Sequence, residues 1–248
     1  MAVAFDFVLP VHNEQAHLAQ AVARLAARLV LLPNCRILLV ENGSTDDSWP
    51  LCQQLEQNYG QATVPVLAYR EPAAGIGHAY HRGLRESLNA AEPNSGERYT
   101  VLTAADLPFG FSDLDGVLAR LHAGESGAVF VGSKAHADSQ IAVDVQRKLA
   151  TLAYRAARRL VLGMRTADSQ GTVFVPLAVA RSAWPRIVAR GFFYSTELIF
   201  FAEQLGASVV ELPVVLEPGR RASTVKPVRH GAVMAAQLVE LATRRFRS

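Results

Sequence analysis

Three short clusters carry the polar groups from which chemistry could be built. Glu41-Asn42-Gly43-Ser44-Thr45-Asp46 follows directly on the apolar run Ile37-Leu38-Leu39-Val40, and Pro10-Val11-His12-Asn13-Glu14 closes a second apolar run that starts at Val3. A carboxylate and an amide at the end of a buried strand offer a ligand hydrogen-bond acceptors and a donor, and a glycine lets the chain turn sharply beside it. The same residues also suit an ordinary strand-to-helix connection with Ser44 or Asp46 as N-cap, and Asn13 stands where a cap for the first helix would fall. The third cluster, Gly75-Ile76-Gly77-His78-Ala79-Tyr80-His81-Arg82-Gly83, puts two glycines at a helix start. There the backbone can approach a phosphate and the exposed amides favour an anion. A plain turn fits the same residues.

The elements that must hold these clusters alternate between strand and helix. Leu18, Val22, Leu25 and Leu29 recur at helical spacing after the first run, one face of an amphipathic helix. Residues 64–69 form a strand, a helix runs from Gly75 to about Ala91, and residues 98–103 form a strand that leads into Ala104-Ala105-Asp106. Residues 129–134 form another strand and end on Lys134; 172–175 form one more. Continuous apolar runs read as buried parallel strands, and ligands of open α/β sheets sit at the carboxyl ends of such strands. The expected fold class is therefore α/β: a Rossmann-like, mixed and mostly parallel sheet flanked by helices. Between the last two strands, residues 142–162 carry Val145, Leu149, Leu152, Ala156 and Leu160 on one face and Arg147, Lys148, Arg155, Arg158 and Arg159 elsewhere. That is a basic amphipathic helix, suited to a protein resting on an interface.

At 248 residues, half of them hydrophobic, the chain can hold one large α/β core. Cys35 and Cys52 have neither metal nor redox spacing and read as core fillers, consistent with a reducing cytoplasm. No apolar run approaches the ~18 residues of a membrane span, and no signal-peptide pattern opens the chain. The net charge of +3 is unevenly placed: from Arg220 to the end, six arginines and Lys226 face Glu240 alone, so that segment carries +6 and the rest −3. Such a tail attracts phosphates or an anionic membrane surface, and it fits equally a solvated helix. Nucleic acid is a weak partner, because no binding motif accompanies the charge.

Taken together, Pro10-Val-His-Asn13-Glu14 and Val40-Glu-Asn-Gly-Ser-Thr-Asp46 resemble the opening of family 2 glycosyltransferases with the GT-A fold. The resemblance implies nucleotide-sugar contacts from Pro10, His12, Asn13, Glu14, Glu41, Asn42, Gly43, Ser44, Asp46, Gly75, Gly77 and Asp106. Asp106 matches the second carboxylate of the family's Asp-x-Asp, which holds a divalent ion against the donor diphosphate; Ala104 stands in place of the first, and Ile76 in place of a basic residue. The implied cofactor is Mg²⁺ or Mn²⁺ on Asp106, bound less tightly than by two carboxylates.

Gly132-Ser-Lys134, Arg147-x-x-x-Thr151, Gly163 and Asp168-Ser-Gln170 are similar to the branch that glycosylates dolichyl and polyprenyl phosphates, and the likeness covers roughly residues 5–225. It implies an inverting transfer with Asp106, Asp168 and Glu197 as catalytic residues. Lys134, Arg147, Thr151, Gln170, Arg220 and Arg221 would cradle the acceptor phosphate. Ser195 replaces an Asp of that branch. An ionised phosphate acceptor needs no strong base, whereas a hydroxyl acceptor needs one within hydrogen-bond reach.

The expected organisation is a GT-A domain over 1–225 and a basic helix or tail over 226–248. The expected partners are a UDP- or GDP-linked sugar and a polyprenyl phosphate at the inner face of the membrane. A soluble small-molecule or cell-envelope hydroxyl acceptor is the alternative, as is a catalytically weakened nucleotide-binding subunit. A nucleotidyltransferase would need a Gly-rich basic loop after the first strand, which Pro10–Glu14 is not.

Overall fold

Hydrophobic residues alternate along the first two strands and sort into two clusters, one on each side of a single sheet. Phe5, Phe7, Leu9 and Val11 of β1 (Val3–Val11) join Ile37 and Leu39 of β2 (Arg36–Glu41) on one side, whereas Val8, Leu38 and Val40 face the other. This is the period of two expected of strands buried on both faces. The computed structural model describes residues 3–90, 96–140, 145–217 and 227–245, with backbone alone at 145–150, 227–232 and 245.

The remaining strands are β3 (Val66–Arg70), β4 (Glu97–Leu102), β5 (Val129–Ser133), β6 (Val173–Pro176) and β7 (Val209–Pro213). The sheet order is β3-β2-β1-β4-β6-β5-β7. Strands β1 to β4 pair in parallel, β6 runs antiparallel to both β4 and β5, and β7 is parallel to β5. The carboxyl ends of β1, β2, β3 and β4 therefore open on one edge.

Helices α1 (Leu18–Leu29), α2 (Ser48–Tyr59) and α4 (Ser112–His122) cover one face. The other is covered by α3 (Ile76–Asn89), α6 (Leu177–Ala183), α7 (Tyr194–Gln204), the end of α5 (Val145–Leu162) and α8 (Pro227–Arg245). Cys35 and Cys52 are buried, and burial pushes their thiols up to about 11 and about 12. They fill core space, as the sequence suggested.

A polar knot ties the other end of the sheet. Asp6, fully buried on β1, accepts from Arg36 Nε (2.8 Å) and Nη2 (2.6 Å), from Arg98 Nη1 (2.5 Å) and from Ser87 Oγ (2.6 Å). Three elements are thereby pinned to one carboxylate at the end remote from the strand tips that bear the loops.

Candidate active site

The loops after β1 and β2 are laced together by the residues that the sequence singled out. Asn13 does not cap α1, which begins at Leu18 behind His17. Instead it adopts φ 57°, and its side-chain oxygen accepts from Thr45 N at 2.9 Å and Thr45 Oγ1 at 3.3 Å. In return Asn13 N donates to Ser44 Oγ (3.1 Å), and Glu14 N to Ser48 Oγ (2.9 Å). His12 Nδ1 donates to the Asn42 carbonyl at 3.0 Å, so that nitrogen carries the proton. Asp47, not Ser44 or Asp46, is the N-cap residue of α2. Asp46 binds Ser48 N (3.0 Å) and Gln15 N (3.3 Å). Desolvation, the largest single contribution, works to raise the Asp46 pKa, but its bonds from Ser48 and Gln15 together outweigh this and hold the carboxyl below the usual range.

Glu41 is buried and shapes its own loop. Its Oε1 accepts from Ser44 N at 2.6 Å, its Oε2 lies 3.4 Å from Arg70 Nε, and its carbonyl accepts from Glu71 N at 2.7 Å. Gly43 takes φ 75° to complete the turn, a conformation costly for residues with a Cβ. Asn42 is different: its side-chain oxygen is buried and has no partner among the described residues. A lone buried acceptor costs about 1–3 kcal/mol, so Asn42 is the residue here with unused hydrogen-bonding capacity.

The paired glycines have a structural neighbour that sequence did not reveal. A Cβ on Gly77 would lie 2.4 Å from the carbonyl carbon of Arg190, and His78 N donates to Arg190 O at 3.0 Å. The first turn of α3 thus docks on the backbone at 190–191, and one of its amides is occupied there. The same segment is gripped from α3 by His81, which stacks on Trp184 (4.7 Å, 13°) and bonds Arg190 Nη2 through Nε2 at 3.2 Å. Burial first, then the Arg190, Arg85 and His78 charges, push the His81 pKa down to about 4. Neither His81, Trp184 nor Arg190 was legible as a site residue, because their meeting depends on how α3 packs against the chain before α7.

Beyond β4, Thr103 to Asp106 turn through Leu107, whose φ is 47°, with Leu107 N bonded to Ala104 O at 3.1 Å. Asp106 is half-buried, and its charge reaches the buried Tyr80 on α3. Glu217 N donates to Pro108 O at 3.1 Å, and the Glu217 carboxylate pairs with Arg24. The chain leading to Arg220 and Arg221, which lie outside the described residues, therefore starts beside the Asp106 loop. Among the described residues no three His, Cys, Asp or Glu cluster as a metal cage. With Ala104 beside it, Asp106 fits a cation shared with a bound diphosphate and not a preformed protein site.

Across the sheet, Asp168 and Gln170 meet Lys134. Asp168 accepts from Lys134 N (2.8 Å) and Gln170 N (2.8 Å), with Lys134 Nζ 3.6 Å away. Lys134 Nζ donates to Gln170 O at 2.8 Å and lies 5.9 Å from the centroid of Phe109, in the Asp106 loop. Gln170 Nε2 reaches Phe192 O (3.0 Å) and Thr196 Oγ1 (3.2 Å), and Ser195 Oγ donates to Ser169 O (2.7 Å). Lys134, Asp168, Gln170 and the start of α7 thus form one cluster.

Glu197 sits apart from it. Its Oε2 accepts from Val188 N (2.7 Å) and Ala189 N (2.8 Å), and its Oε1 pairs with Arg244 of α8. That geometry anchors the 187–190 segment. Thr151 is exposed on α5, and the Arg147 side chain lies outside the described residues.

Three residues that sequence reasoning missed hold the Asp168 loop. Glu203 accepts from Arg165 N and Thr166 N, and Glu211 from Ala167 N (2.7 Å) and Asp168 N (2.9 Å). From the other side Arg158 donates to Thr166 O (3.3 Å) and Ala167 O (2.7 Å). Arg158 is only 2% exposed, which removes it from the basic residues that the sequence offered to an interface. Burial lowers its pKa, opposed by Tyr154 and by the Asp168, Glu211 and Glu203 charges.

A mixed, mostly parallel seven-stranded sheet with helices on both faces, and polar loops at the tips of β1, β2 and β4, defines a GT-A-type scaffold. Residues 6–164 match the family model described as glycosyl transferase family 2, and the chain belongs to that family. It is a glycosyltransferase. The fold is similar to that of glucosyl-3-phosphoglycerate synthase from Mycobacterium tuberculosis. In the complex with uridine diphosphate the identity is 20%, the TM-score 0.60, and the match covers 98% of this chain and 79% of that one. In the complex with Mn²⁺, UDP-glucose and phosphoglyceric acid the values are 18%, 0.61, 98% and 79%. A complex with Mg²⁺ and uridine diphosphate matches at 19% identity and TM-score 0.59, over 96% of this chain and 76% of that one.

Proposed function

We propose that this protein transfers a sugar from a nucleoside-diphosphate sugar to a soluble small acceptor that carries a phosphate or carboxylate. The observation that carries this reading is the pairing of two clusters across the open edge of the sheet: a donor side built from the β1, β2 and β4 loops, and a cluster of Lys134, Asp168 and Gln170 whose lysine reaches Phe109 of the β4 loop. The solved complexes that the fold resembles contain UDP-glucose and phosphoglyceric acid, which supports a uridine nucleotide and a soluble acceptor as the first ligands to try.

On the donor side Asn42 has an acceptor left for the nucleoside, and the Asn13–Thr45 and Glu14–Ser48 bonds fix the loops around it. Asp106 would hold Mg²⁺ or Mn²⁺ together with the diphosphate, and a cation there offsets the charge that grows on the leaving group. On the acceptor side Lys134 grips the anionic group, a role the family resemblance also gives to Arg220 and Arg221, which lie outside the described residues. Asp168 is the base for an acceptor hydroxyl, since its oxygens retain lone pairs beyond those used by the amides of Lys134 and Gln170. Glu197, with two amides and Arg244 on its carboxylate, positions the segment that receives α3.

A polyprenyl phosphate is the second reading. It is favoured by an exposed apolar stripe on α5 and by an acceptor oxygen that is already ionised and so needs no base.

The test is a thermal-shift panel of UDP, GDP and their sugar conjugates, with and without Mn²⁺, followed by product analysis with phosphoglyceric acid and with a short-chain polyprenyl phosphate. A metal-dependent shift with UDP and product from phosphoglyceric acid support the proposal. Product from the lipid phosphate alone replaces the acceptor. No shift with any nucleotide overturns the donor site. The anomeric proton coupling in the product reads inversion directly, and retention would remove Asp168 as base.

A further inference from the structure

On α5 the described part of the apolar stripe, Leu152, Ala156 and Leu160, points outward. Leu160 is 85% exposed and Leu152 58%, and Ala153, Ala156 and Arg159 beside them are exposed too, while Arg158 is turned into the protein. For a helix on a soluble surface this is the reverse of the usual arrangement. An 85% exposed leucine on the same helical surface as a second exposed leucine is a contiguous apolar feature and not a scattered one. The helix carries Arg147, Lys148, Arg155, Arg158 and Arg159 and no acidic residue. Arg155 and Arg159 stand within a turn of Leu152, Ala156 and Leu160, so cations border the stripe. Helix α8, packed beside α5, also carries exposed Val233 and Val239. No helix among the described residues is long and apolar enough to cross a membrane.

We propose that the outer face of α5 docks on an anionic lipid bilayer, with Leu152 and Leu160 entering the boundary between headgroups and acyl chains. Arg155 and Arg159 then meet the lipid phosphates. Charge selects this occupant. A second copy of the chain seated through α5 would set Arg155 and Arg159 against the same two cations, with no acid on either helix to separate them. An anionic leaflet neutralises the same charges, each adding its own attraction, and accepts leucines at a depth that water does not. The docking does not depend on the acceptor: a soluble acceptor and a lipid phosphate are both compatible with an enzyme held at the surface.

The experiment is flotation of the full chain with vesicles of phosphatidylcholine alone and of phosphatidylcholine mixed with phosphatidylglycerol, at low and high salt. Leu160→Ser, Leu152→Ser/Leu160→Ser and Arg155→Gln/Arg159→Gln are compared with the wild type. Because Leu152, Arg159 and Leu160 are exposed and Arg155 is half-buried with no place in the donor loops, the melting temperature and the UDP-induced shift should stay near the wild-type values. Co-flotation with the anionic vesicles only, reduced about tenfold or more by the double serine variant and reduced by the arginine pair and by salt, supports the proposal. Absence of flotation with anionic vesicles overturns it. Binding that responds to salt but not to the leucine substitutions also overturns it, since the stripe would then take no part. Light scattering that finds a wild-type dimer and a monomer for Leu160→Ser, with no vesicle binding, assigns the face to a second copy instead.

Discussion

Asp106 and His81 show how much a single side chain's neighbours decide. Asp106 has Ala104 where a partner carboxylate would help hold a cation, so the whole burden of any metal contact from this loop falls on one residue. Asp106→Asn should therefore lower turnover about a hundredfold and remove the Mn²⁺ dependence of the UDP thermal shift, with little change in the melting temperature of the ligand-free protein. An unchanged kcat would exclude Asp106 from the chemistry. His81 matters to stability instead. It is folded away neutral between Trp184 and Arg190, with its pKa down at about 4, whereas in the unfolded chain it titrates near ~6.5. Below ~6.5 the unfolded state takes up the proton first, so stability is full above that pH and falls as the pH drops toward about 4, by about 1–3 kcal/mol. Urea titrations at a series of pH values should show this slope, and His81→Gln should flatten it.

At the scale of elements, the strands and helices of the first half were legible and the loops were only half so. Continuous runs such as 37–40 and the spacing of Leu18, Val22, Leu25 and Leu29 report burial directly, and the structure forms β2 and α1 there. Asn13 was visible as a polar residue at a turn, but not that it would lace to Thr45 and leave α1 to start at Leu18. A cap is a local signal, and a bond across thirty residues is not. Gly77 was read through its local freedom, while its need for lacking a Cβ comes from Arg190, more than a hundred residues away. The Asp168-Ser-Gln motif stood out, yet the residues that hold it are scattered over α5, α7 and β7 and have no motif of their own. Their importance is testable. Glu211→Ala leaves the amides of Ala167 and Asp168 unpaired, which should cost about 1–3 kcal/mol. It should also raise the acceptor KM with the UDP-induced shift intact, because the donor loops do not touch Glu211. Glu211→Gln, which keeps one acceptor oxygen, should recover part of both losses. Equal damage to donor and acceptor binding would mean that the two sides are not separately supported.

Over the whole molecule, stability and chemistry are placed at opposite ends of the same strands. The parallel run β1 to β4 presents its carboxyl tips to the ligand loops, where Asn42 Oδ1 has no partner among the described residues and some stability is given up. At the other end Asp6 gathers Arg36, Arg98 and Ser87 on one carboxylate with no exposed surface. Five residues of extended strand, about 16 Å, separate Asp6 from Val11 at the tip of β1. A buried carboxylate removed from its cations leaves two guanidinium groups uncompensated, one on β2 and one on β4, so the loss is felt by every strand that carries a ligand loop. Asp6→Ala should destabilise the fold by about 3–5 kcal/mol. The fraction that remains folded should bind UDP with the wild-type Kd, because none of the donor loops contacts the knot. Chemical denaturation measures the first quantity, and isothermal titration below the shifted melting temperature measures the second. If the Kd weakens in step with stability, the sheet transmits strain from one end to the other, and the strand tips owe their geometry to the Asp6 knot as well as to the bonds within the loops.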